Sequence, residues 1–214
     1  MDTISTFRNV SYLALGDSYT TGEGVTEKEA FPHQLQHKLG IEGKYITHVQ
    51  IIARTGWTTD ELSFAIDSNS VNAPFDFVTL LIGVNNQYRG KSVESYRPEF
   101  KQLLKQAIGF AAGKARNVVI LSIPDWGVTP FAQGRDREKI AREIDAYNHI
   151  NRMEAKSAGA CWVDVTGISR RALQRPELLT SDGLHPSGLM YYLWVEAMLP
   201  SVQNILENNA SDHL

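Results

Sequence analysis

The feature of this chain that most restricts its fold is a set of five short, almost purely apolar runs separated by segments with helical spacing. Each run has the length of a buried strand and lacks the polar alternation of a strand with one face in water. Strands that alternate with helices build a parallel sheet with helices on both faces. The predicted strands cover residues 10–15, 47–53, 77–82, 118–123 and 161–165. The sequence therefore predicts an α/β fold with a central five-stranded parallel sheet.

Start and stop signals between these runs predict the helices. The predicted helices cover residues 31–39, a segment that follows residue 58, residues 100–111, residues 137–157 and a last segment around 191–198. Gly40 is expected to stop the first of them, and Thr58 with Glu61 forms a capping box that starts the second. Pro200 is expected to break or kink the last helix, because proline has no backbone N–H to donate.

Length and charge narrow the class of protein further. The chain has 214 residues, 43% of them hydrophobic, which suits one domain over residues 1–214. The formal net charge is −3, and acidic and basic residues are interspersed along the chain. This distribution argues against nucleic acid or an anionic membrane as a partner. No apolar run approaches a membrane span, and the first residues lack the features of a signal peptide. We expect a cytoplasmic protein, although a leader removed earlier would leave the same pattern.

The sequence gives little support for a metal site or for a nucleotide-binding loop. His33 and His37 have the spacing of a zinc-binding helix, but Gln34 replaces the glutamate base of that motif, so surface histidines are the better interpretation. The segment GVNNQYRGKS has six residues between its glycines, whereas a phosphate-binding loop has four. Cys161 is the single cysteine and opens an apolar run, so we expect a small buried core residue. No metal and no organic cofactor is predicted.

Polar, glycine-containing segments follow the predicted strands. They read GDSYTTGEG, RTGWTT, GVNNQYRG and PDWGVTPFAQG after the first four strands, and TSDGLHPSG well beyond the fifth. In open parallel sheets, sites form in the crevice outside the carboxyl ends of the strands. We therefore expect these segments to converge on one edge of the sheet.

Two of these segments together predict a nucleophilic serine. Alone, Ser18 is a common turn or cap residue. Asp182 and His185, however, are three residues apart, a spacing at which a carboxylate reaches back to one imidazole nitrogen and leaves the other free as a base. A serine hydroxyl becomes a useful nucleophile when such a base takes its proton. Ser18, Asp182 and His185 would then form a catalytic triad.

Acyl transfer also needs hydrogen-bond donors at the developing oxyanion. The candidates are the backbone N–H of Ser18, the backbone at Gly56, where the missing Cβ allows a close approach, and the side-chain amide of Asn85. Viewed singly, Gly56 is more often a turn residue and Asn85 more often a helix cap. Their places after successive predicted strands favour a shared site.

The segments GDSYT, RTGW, GVNN and DGLH resemble, in this order, the sequence blocks of the SGNH, or GDSL-type, hydrolase superfamily. The resemblance implies a three-layer α/β/α sandwich, the flavodoxin-like SGNH hydrolase fold. It also implies that Ser18 is the nucleophile and first oxyanion donor, that Gly56 and Asn85 are the other donors, and that Asp182 and His185 complete the triad. It runs from about residue 12 to the last helix.

Two positions depart from the family pattern. Tyr19 stands where the motif name has leucine, and Asn86 stands where the third block usually has aspartate. Asn86 can still accept and donate hydrogen bonds, so Asn86→Asp is expected to leave the rate within about an order of magnitude.

The resemblance implies a serine hydrolase that cleaves carboxylic esters through an acyl-enzyme on Ser18, with a small-molecule ester as its partner. Short-chain acyl esters are favoured, because no long apolar segment suggests a lipid tunnel. Carbohydrate acetyl esters, lysophospholipids and thioesters stay open as substrates, and so does a catalytically inactive protein that binds acyl or sugar groups. Trp57, Asn86, Trp126 and Phe131 are the candidate substrate contacts, and the aromatic ones are equally compatible with inward packing.

Overall fold

The computed structural model describes residues 9–41, 46–69, 71 and 73–212, and it contains a five-stranded sheet. The strands are β1 (Val10–Gly16), β2 (Ile46–Ala53), β3 (Phe77–Leu81), β4 (Val118–Leu121) and β5 (Cys161–Val163). Their spatial order is β2-β1-β3-β4-β5, and every neighbouring pair is parallel. The predicted parallel sheet is confirmed.

Helices cover both faces of this sheet. They are α1 (Ser18–Thr21), α2 (Phe31–Ile41), α3 (Thr59–Ser68), α4 (Val84–Tyr88), α5 (Val93–Phe110), α6 (Arg137–Ala158), α7 (Thr166–Ser169) and α8 (Gly188–Ser211). Short 3-10 helices lie at Glu27–Glu29, Ala115–Asn117, Trp126–Val128, Pro130–Ala132, Arg170–Leu173 and Pro176–Leu178. Helices α2 and α8 pack against each other, while α5 packs against both α3 and α6. The result is the expected three-layer α/β/α arrangement.

The strands are buried because helices cover them from both sides. All five residues of β3 are buried, and so are Leu13, Ala14 and Leu15 of β1. In the register of β1 and β3, Tyr12 lies beside Phe77, and their rings stack with centroids 4.3 Å apart. This burial on both faces explains why the strands read as continuous apolar runs in the sequence.

Strand ends differ from the sequence prediction by one or two residues. β4 ends at Leu121 and β5 ends at Val163, each two residues earlier than predicted. The cause lies in Ser122, whose Oγ accepts the backbone N–H groups of Val165 and Thr166 at 2.8 and 2.9 Å. This side chain takes the place of further ladder hydrogen bonds.

Three local predictions are wrong in detail. Helix α2 runs past Gly40 to Ile41. Pro200 does not break the last helix: α8 continues through it, and because Pro200 is exposed, water can satisfy the carbonyl that loses its partner. Cys161 is half-buried rather than buried, because β5 is an edge strand, and its thiol contacts the Arg116 carbonyl at 3.5 Å. The capping box of Thr58 and Glu61 is present as predicted.

The order of the strands decides where a site can form. The chain passes from β1 to β2 on one side and then to β3 on the other side of β1, so the gap between β1 and β3 is a topological switch point. Ser18 lies just beyond β1 and Asn85 just beyond β3. The fold therefore brings these two predicted site residues to the same crevice.

Candidate active site

Ser18 begins a short helix at the edge of the sheet. β1 ends at Gly16, Asp17 caps α1, and Ser18 is the first helical residue. The Asp17 carboxylate accepts the Tyr19 N–H at 3.0 Å, which fixes the turn between strand and helix. Because Ser18 stands at a helix start, its own N–H makes no hydrogen bond with the described part of the chain.

The structure brings Ser18, His185 and Asp182 together. The Ser18 Oγ lies 3.1 Å from His185 Nε2, and His185 Nδ1 lies 2.6 Å from Asp182 Oδ2. These are the contacts of a nucleophile with a base and of that base with an orienting carboxylate. The two halves come from segments 167 positions apart in the sequence.

The segment that carries the aspartate and the histidine is a tight turn. The Thr180 N–H donates to the His185 carbonyl at 2.9 Å, and the Gly183 N–H donates to the Thr180 carbonyl at 3.0 Å. Asp182 Oδ1 accepts the backbone N–H groups of Leu184 and His185 at 2.8 and 3.0 Å. The other carboxylate oxygen thus stays free for the imidazole, as the spacing of three residues predicts.

The electrostatics of this turn keep Asp182 ionised. Partial burial acts to raise the pKa of Asp182, but hydrogen bonds from the Thr180 hydroxyl, from His185 and from the Leu184 N–H outweigh it and hold the pKa well below its usual range. The Tyr19 ring meets the His185 ring edge-on, with centroids 5.9 Å apart. Thus Tyr19, the departure from the motif leucine, packs against the imidazole.

Gly56 and Asn85 lie on segments that face each other. Gly56 has φ +86°, a conformation that favours glycine, and its N–H makes no hydrogen bond with the described residues. The Asn85 Nδ2 donates to the Trp57 carbonyl at 2.9 Å, so one of its two N–H bonds is used to orient the amide and one remains. The backbone N–H groups of Ser18 and Gly56 and the second N–H of the Asn85 amide thus make no hydrogen bond with the described residues.

Asn86 does not lie where a substrate contact must lie. Its side chain is fully buried; the Oδ1 accepts the Thr59 N–H at 3.1 Å, and the Nδ2 donates to Thr59 Oγ1 at 2.6 Å. The Thr59 hydroxyl in turn donates to Glu99, whose Oε2 is 3.4 Å from Asn86 Nδ2. The prediction of Asn86 as a substrate contact is therefore wrong: the residue joins α4 to the start of α3, and Glu99 supplies a carboxylate beside it.

Trp126 has little surface to offer a substrate. It is 4% exposed, and its indole N–H donates to Gln87 Oε1 at 2.8 Å. Trp57 is half-buried against the core and, with Arg54 and Phe64, lines a cavity of about 450 Å³ beside Gly56. Of the two predicted tryptophan contacts, Trp57 is the more accessible.

Phe131 belongs to an aromatic cluster next to the turn of Asp182. Its N–H donates to the Gly183 carbonyl at 3.1 Å, and its ring lies 6.2 Å from Tyr88 and 6.0 Å from Trp126. Arg135 covers the Tyr88 and Trp126 rings at 5.2 and 5.5 Å. Tyr88 and Arg135 are not among the predicted substrate contacts, although Tyr88 lies in the segment after β3 and Arg135 directly follows the segment after β4.

Asp17, directly before Ser18, is a buried acid that is not among the predicted site residues. It is completely buried, and its Oδ2 has no hydrogen-bond partner among the described residues. Burial raises its pKa to about 7, and the hydrogen bond from Tyr19 only partly opposes this. The carboxyl group is therefore poised to change charge near neutral pH.

Residues 9–41, 46–69, 71 and 73–212 contain no group of three or more His, Cys, Asp or Glu side chains arranged to hold a metal ion. His33 instead contacts Glu27, with Nε2 and Oε1 3.3 Å apart. Within the same part of the chain, none of the helices is both long and apolar enough to span a membrane.

Comparison with known proteins gives a family and a fold. The model of the GDSL-like lipase/acylhydrolase family matches residues 14–193. The crystal structure of TesA superposes with a TM-score of 0.71 at 18% identity, covering 91% of this chain and 99% of that chain. The esterase EstA from Pseudoalteromonas sp. superposes with a TM-score of 0.68 at 17% identity, covering 93% of this chain and 100% of that chain. Axe2, an acetylxylan esterase from Geobacillus stearothermophilus, superposes with a TM-score of 0.69 at 17% identity, covering 92% of this chain and 95% of that chain. No sequence among curated proteins matches the chain.

Proposed function

The chain belongs to the GDSL-like lipase/acylhydrolase family, whose members are carboxylic ester hydrolases, and we propose that it cleaves short-chain acyl esters through an acyl-enzyme on Ser18. The observation that carries this proposal is the continuous contact from Ser18 Oγ to His185 Nε2 at 3.1 Å and from His185 Nδ1 to Asp182 at 2.6 Å. A buried serine beside a free imidazole nitrogen is the arrangement that acyl transfer needs.

In the first half of the reaction, His185 Nε2 takes the Ser18 proton while Oγ forms a bond to the ester carbonyl carbon. The carbonyl oxygen becomes an oxyanion, which the Ser18 and Gly56 N–H groups and the Asn85 amide stabilise. When the oxyanion collapses, the bond to the alcohol oxygen breaks, and His185 gives its proton to that oxygen. The alcohol leaves, and the acyl group stays on Ser18.

In the second half, water replaces the alcohol. His185 takes a proton from water, and the resulting hydroxide attacks the acyl carbon. The bond to Ser18 Oγ breaks, the proton returns to Oγ, and the carboxylic acid is released. Asp182 remains ionised throughout and holds the imidazole in the tautomer that leaves Nε2 unprotonated in the resting site.

The aromatic cluster beside the triad supports a short acyl group. Tyr88, Trp126 and Phe131 lie with ring centroids 5.3 to 6.2 Å apart, so they pack on one another and leave little room between the rings for a long chain. A cavity of about 1000 Å³ is lined by residues of α2, α8 and the 3-10 helix Glu27–Glu29, and by no residue of the triad.

Acetylated carbohydrate is a second candidate substrate, and the cavity beside Gly56 is the observation that favours it. Trp57 and Phe64 offer aromatic surface there, while Arg54, Asp60 and Glu61 offer polar groups. A sugar ring presents one apolar face and a rim of hydroxyls, which this combination can contact. Phe64→Ala tests this candidate. If the variant loses activity on acetylated xylo-oligosaccharide but keeps it on p-nitrophenyl acetate, the carbohydrate ester is favoured as the substrate.

The deciding experiment measures hydrolysis of p-nitrophenyl esters from acetate to palmitate by the wild type, by Ser18→Ala and by Asp182→Asn. We expect highest turnover on the shortest chains and loss of at least about 10³-fold in Ser18→Ala. Turnover unchanged by Ser18→Ala would refute the nucleophile. If no ester is cleaved, a serine-reactive phosphonate distinguishes an active site with another substrate, which it labels at Ser18, from an inactive binding protein, which it does not.

A further inference from the structure

Side chains on helix α4 and at its C-terminal end bond the backbone of the turn after β2. Within the turn, the Trp57 N–H donates to the Arg54 carbonyl at 3.2 Å. Two consecutive carbonyls of the turn each accept a hydrogen bond from a side chain of the segment after β3. The Gly56 carbonyl accepts Arg89 Nη2 at 2.7 Å, and the Trp57 carbonyl accepts Asn85 Nδ2 at 2.9 Å. Two consecutive peptide groups are thus anchored to the same helix.

Arg89 reaches this turn because it lies one helical turn after Asn85. The Arg89 N–H closes α4 by donating to the Asn85 carbonyl at 3.0 Å. Residues four positions apart project from the same face of a helix. The position of the guanidinium is therefore fixed by the same short helix that carries the proposed oxyanion donor.

A second contact fixes the other end of the guanidinium. Arg89 Nη1 lies 3.3 Å from Glu61 Oε2, and the same oxygen accepts the Thr58 N–H at 2.8 Å in the capping box of α3. A planar guanidinium can bond a carbonyl and a carboxylate at the same time, which a single ammonium does less well. Arg89 therefore bridges three segments: α4, the turn at Gly56 and the start of α3.

Gly56 needs such an anchor. Its φ of +86° and its missing side chain leave it free to adopt other conformations, and a Cβ built there would meet nothing closer than Arg89 Nη2 at 3.9 Å. The Gly56 N–H belongs to the preceding peptide group and has no hydrogen bond with the described residues that would hold it in place. Only the φ and ψ bonds of Gly56 separate it from the carbonyl that Arg89 holds, so a looser carbonyl leaves the direction of the N–H less defined.

We infer that Arg89 is a positioning residue of the oxyanion hole, which sets the direction of the Gly56 N–H by holding the Gly56 carbonyl. The inference rests on the proposed ester hydrolysis at Ser18. It makes Arg89 act through Gly56 and not on the substrate. Preorganised donors are effective because they need no rearrangement as charge develops, so a loosened donor lowers the rate of the chemical step.

An ordinary surface ion pair would behave differently. The side chains of Arg89 and Glu61 are 47% and 41% exposed, and exposed pairs contribute little to stability. A purely structural role therefore predicts a small change in thermal stability and no change in kcat. A role in binding the acyl or alcohol group predicts a change in KM.

The test uses Arg89→Met, which keeps the length of the side chain and removes its hydrogen-bond donors. Arg116→Met is the matched control, because Arg116 is 49% exposed and pairs with Asp212 just before β4, at the opposite end of the strands. The substrate is uncharged p-nitrophenyl acetate, so that loss of the positive charge has no direct effect on substrate binding. Arg89→Lys, Asn85→Ala and the double variant that combines Asn85→Ala with Arg89→Met complete the set.

We expect kcat to fall about 10-fold in Arg89→Met, less than the 10²–10³ typical of deleting a whole donor, with KM and Tm close to those of the wild type. Arg89→Lys is expected to recover part of the loss, and Arg116→Met to lose nothing. The double variant with Asn85→Ala is expected to lose less than the product of the two single losses, because both act on one oxyanion. A kcat within twofold of wild type, or a loss confined to KM, would overturn the inference.

Hydrogen exchange of the segment 54–58 separates failure of this inference from failure of the proposed function. If Arg89 holds the turn, the backbone amides of segment 54–58 exchange faster in Arg89→Met than in Arg116→Met. This holds whether or not the protein hydrolyses any ester tested. Unchanged exchange overturns the anchoring itself. Faster exchange in a protein whose turnover does not depend on Ser18 leaves the anchoring standing and refutes the ester chemistry.

Discussion

The buried carboxyl group of Asp17 predicts an unusual dependence of stability on pH. Its pKa is about 7 in the folded protein against an ordinary value of 3.8, because burial disfavours the charged form. Between these two values the folded protein holds a proton that the unfolded chain has released. The free energy of unfolding contributed by this group therefore falls as the pH rises from about 4 to 7, the reverse of the usual behaviour of an aspartate.

The magnitude follows from the two pKa values. Between pH 5 and about 7, the Asp17 carboxyl is protonated in the folded protein and ionised in the unfolded chain, an interval of about two pH units. From there to pH 8 it is ionised in both states. At 1.36 kcal/mol for each unit, the loss is about 3 kcal/mol. Asp17→Asn removes the titration and keeps an oxygen that can accept the Tyr19 N–H, so it isolates this effect.

The assay is urea unfolding of the wild type and of Asp17→Asn at pH 5 and pH 8, followed by tryptophan fluorescence. The stability of the variant relative to the wild type is expected to rise by about 3 kcal/mol between the two pH values. Asp136→Asn is the control, because Asp136 also caps a helix, α6, but is exposed. The pKa assigned to buried Asp17 would be refuted if Asp17→Asn and wild type differed in free energy of unfolding by the same amount, within about 1 kcal/mol, at both pH values.

Four further substitutions test the site and its surroundings. Asn85→Ala is expected to lower kcat about 10²- to 10³-fold, and near-normal turnover would remove the amide from the proposed oxyanion hole. Asn86→Asp should keep turnover within about tenfold but lower the free energy of unfolding by about 1–3 kcal/mol, because it removes the donor to Thr59; unchanged urea unfolding would contradict this. Gly83→Ala should cost about 2–4 kcal/mol, since a Cβ there lies 2.7 Å from the Ile123 Cδ1 at a φ of +128°; a variant as stable as wild type would show that this backbone is not held. Phe131→Ala should shift the preferred p-nitrophenyl ester towards longer acyl chains, and an unchanged chain-length profile would place this ring outside the acyl site.

The sequence by itself determined the fold class and the identity of the residues that meet at the crevice. The apolar runs predict the parallel sheet, because strands covered on both faces must be apolar throughout. The spacing of Asp182 and His185 predicts their contact, because a tight turn of three residues is a local structure. The position of polar segments after strands predicts that Ser18 and Asn85 share one edge.

Tertiary structure decided which individual contacts the distant segments make and how deeply each side chain is buried. Trp126 is buried because the segment after β4 packs against α4, where its indole N–H donates to Gln87. Asn86 bonds Thr59 because α4 packs against the start of α3. The bridge from Arg89 to Gly56 spans 33 positions, and no local pattern marks it. The raised pKa of Asp17 is likewise a consequence of burial, which the whole fold creates around a residue that in sequence is an ordinary turn aspartate. Local spacing fixes local hydrogen bonds, whereas desolvation and long-range anchoring exist only after the chain has packed.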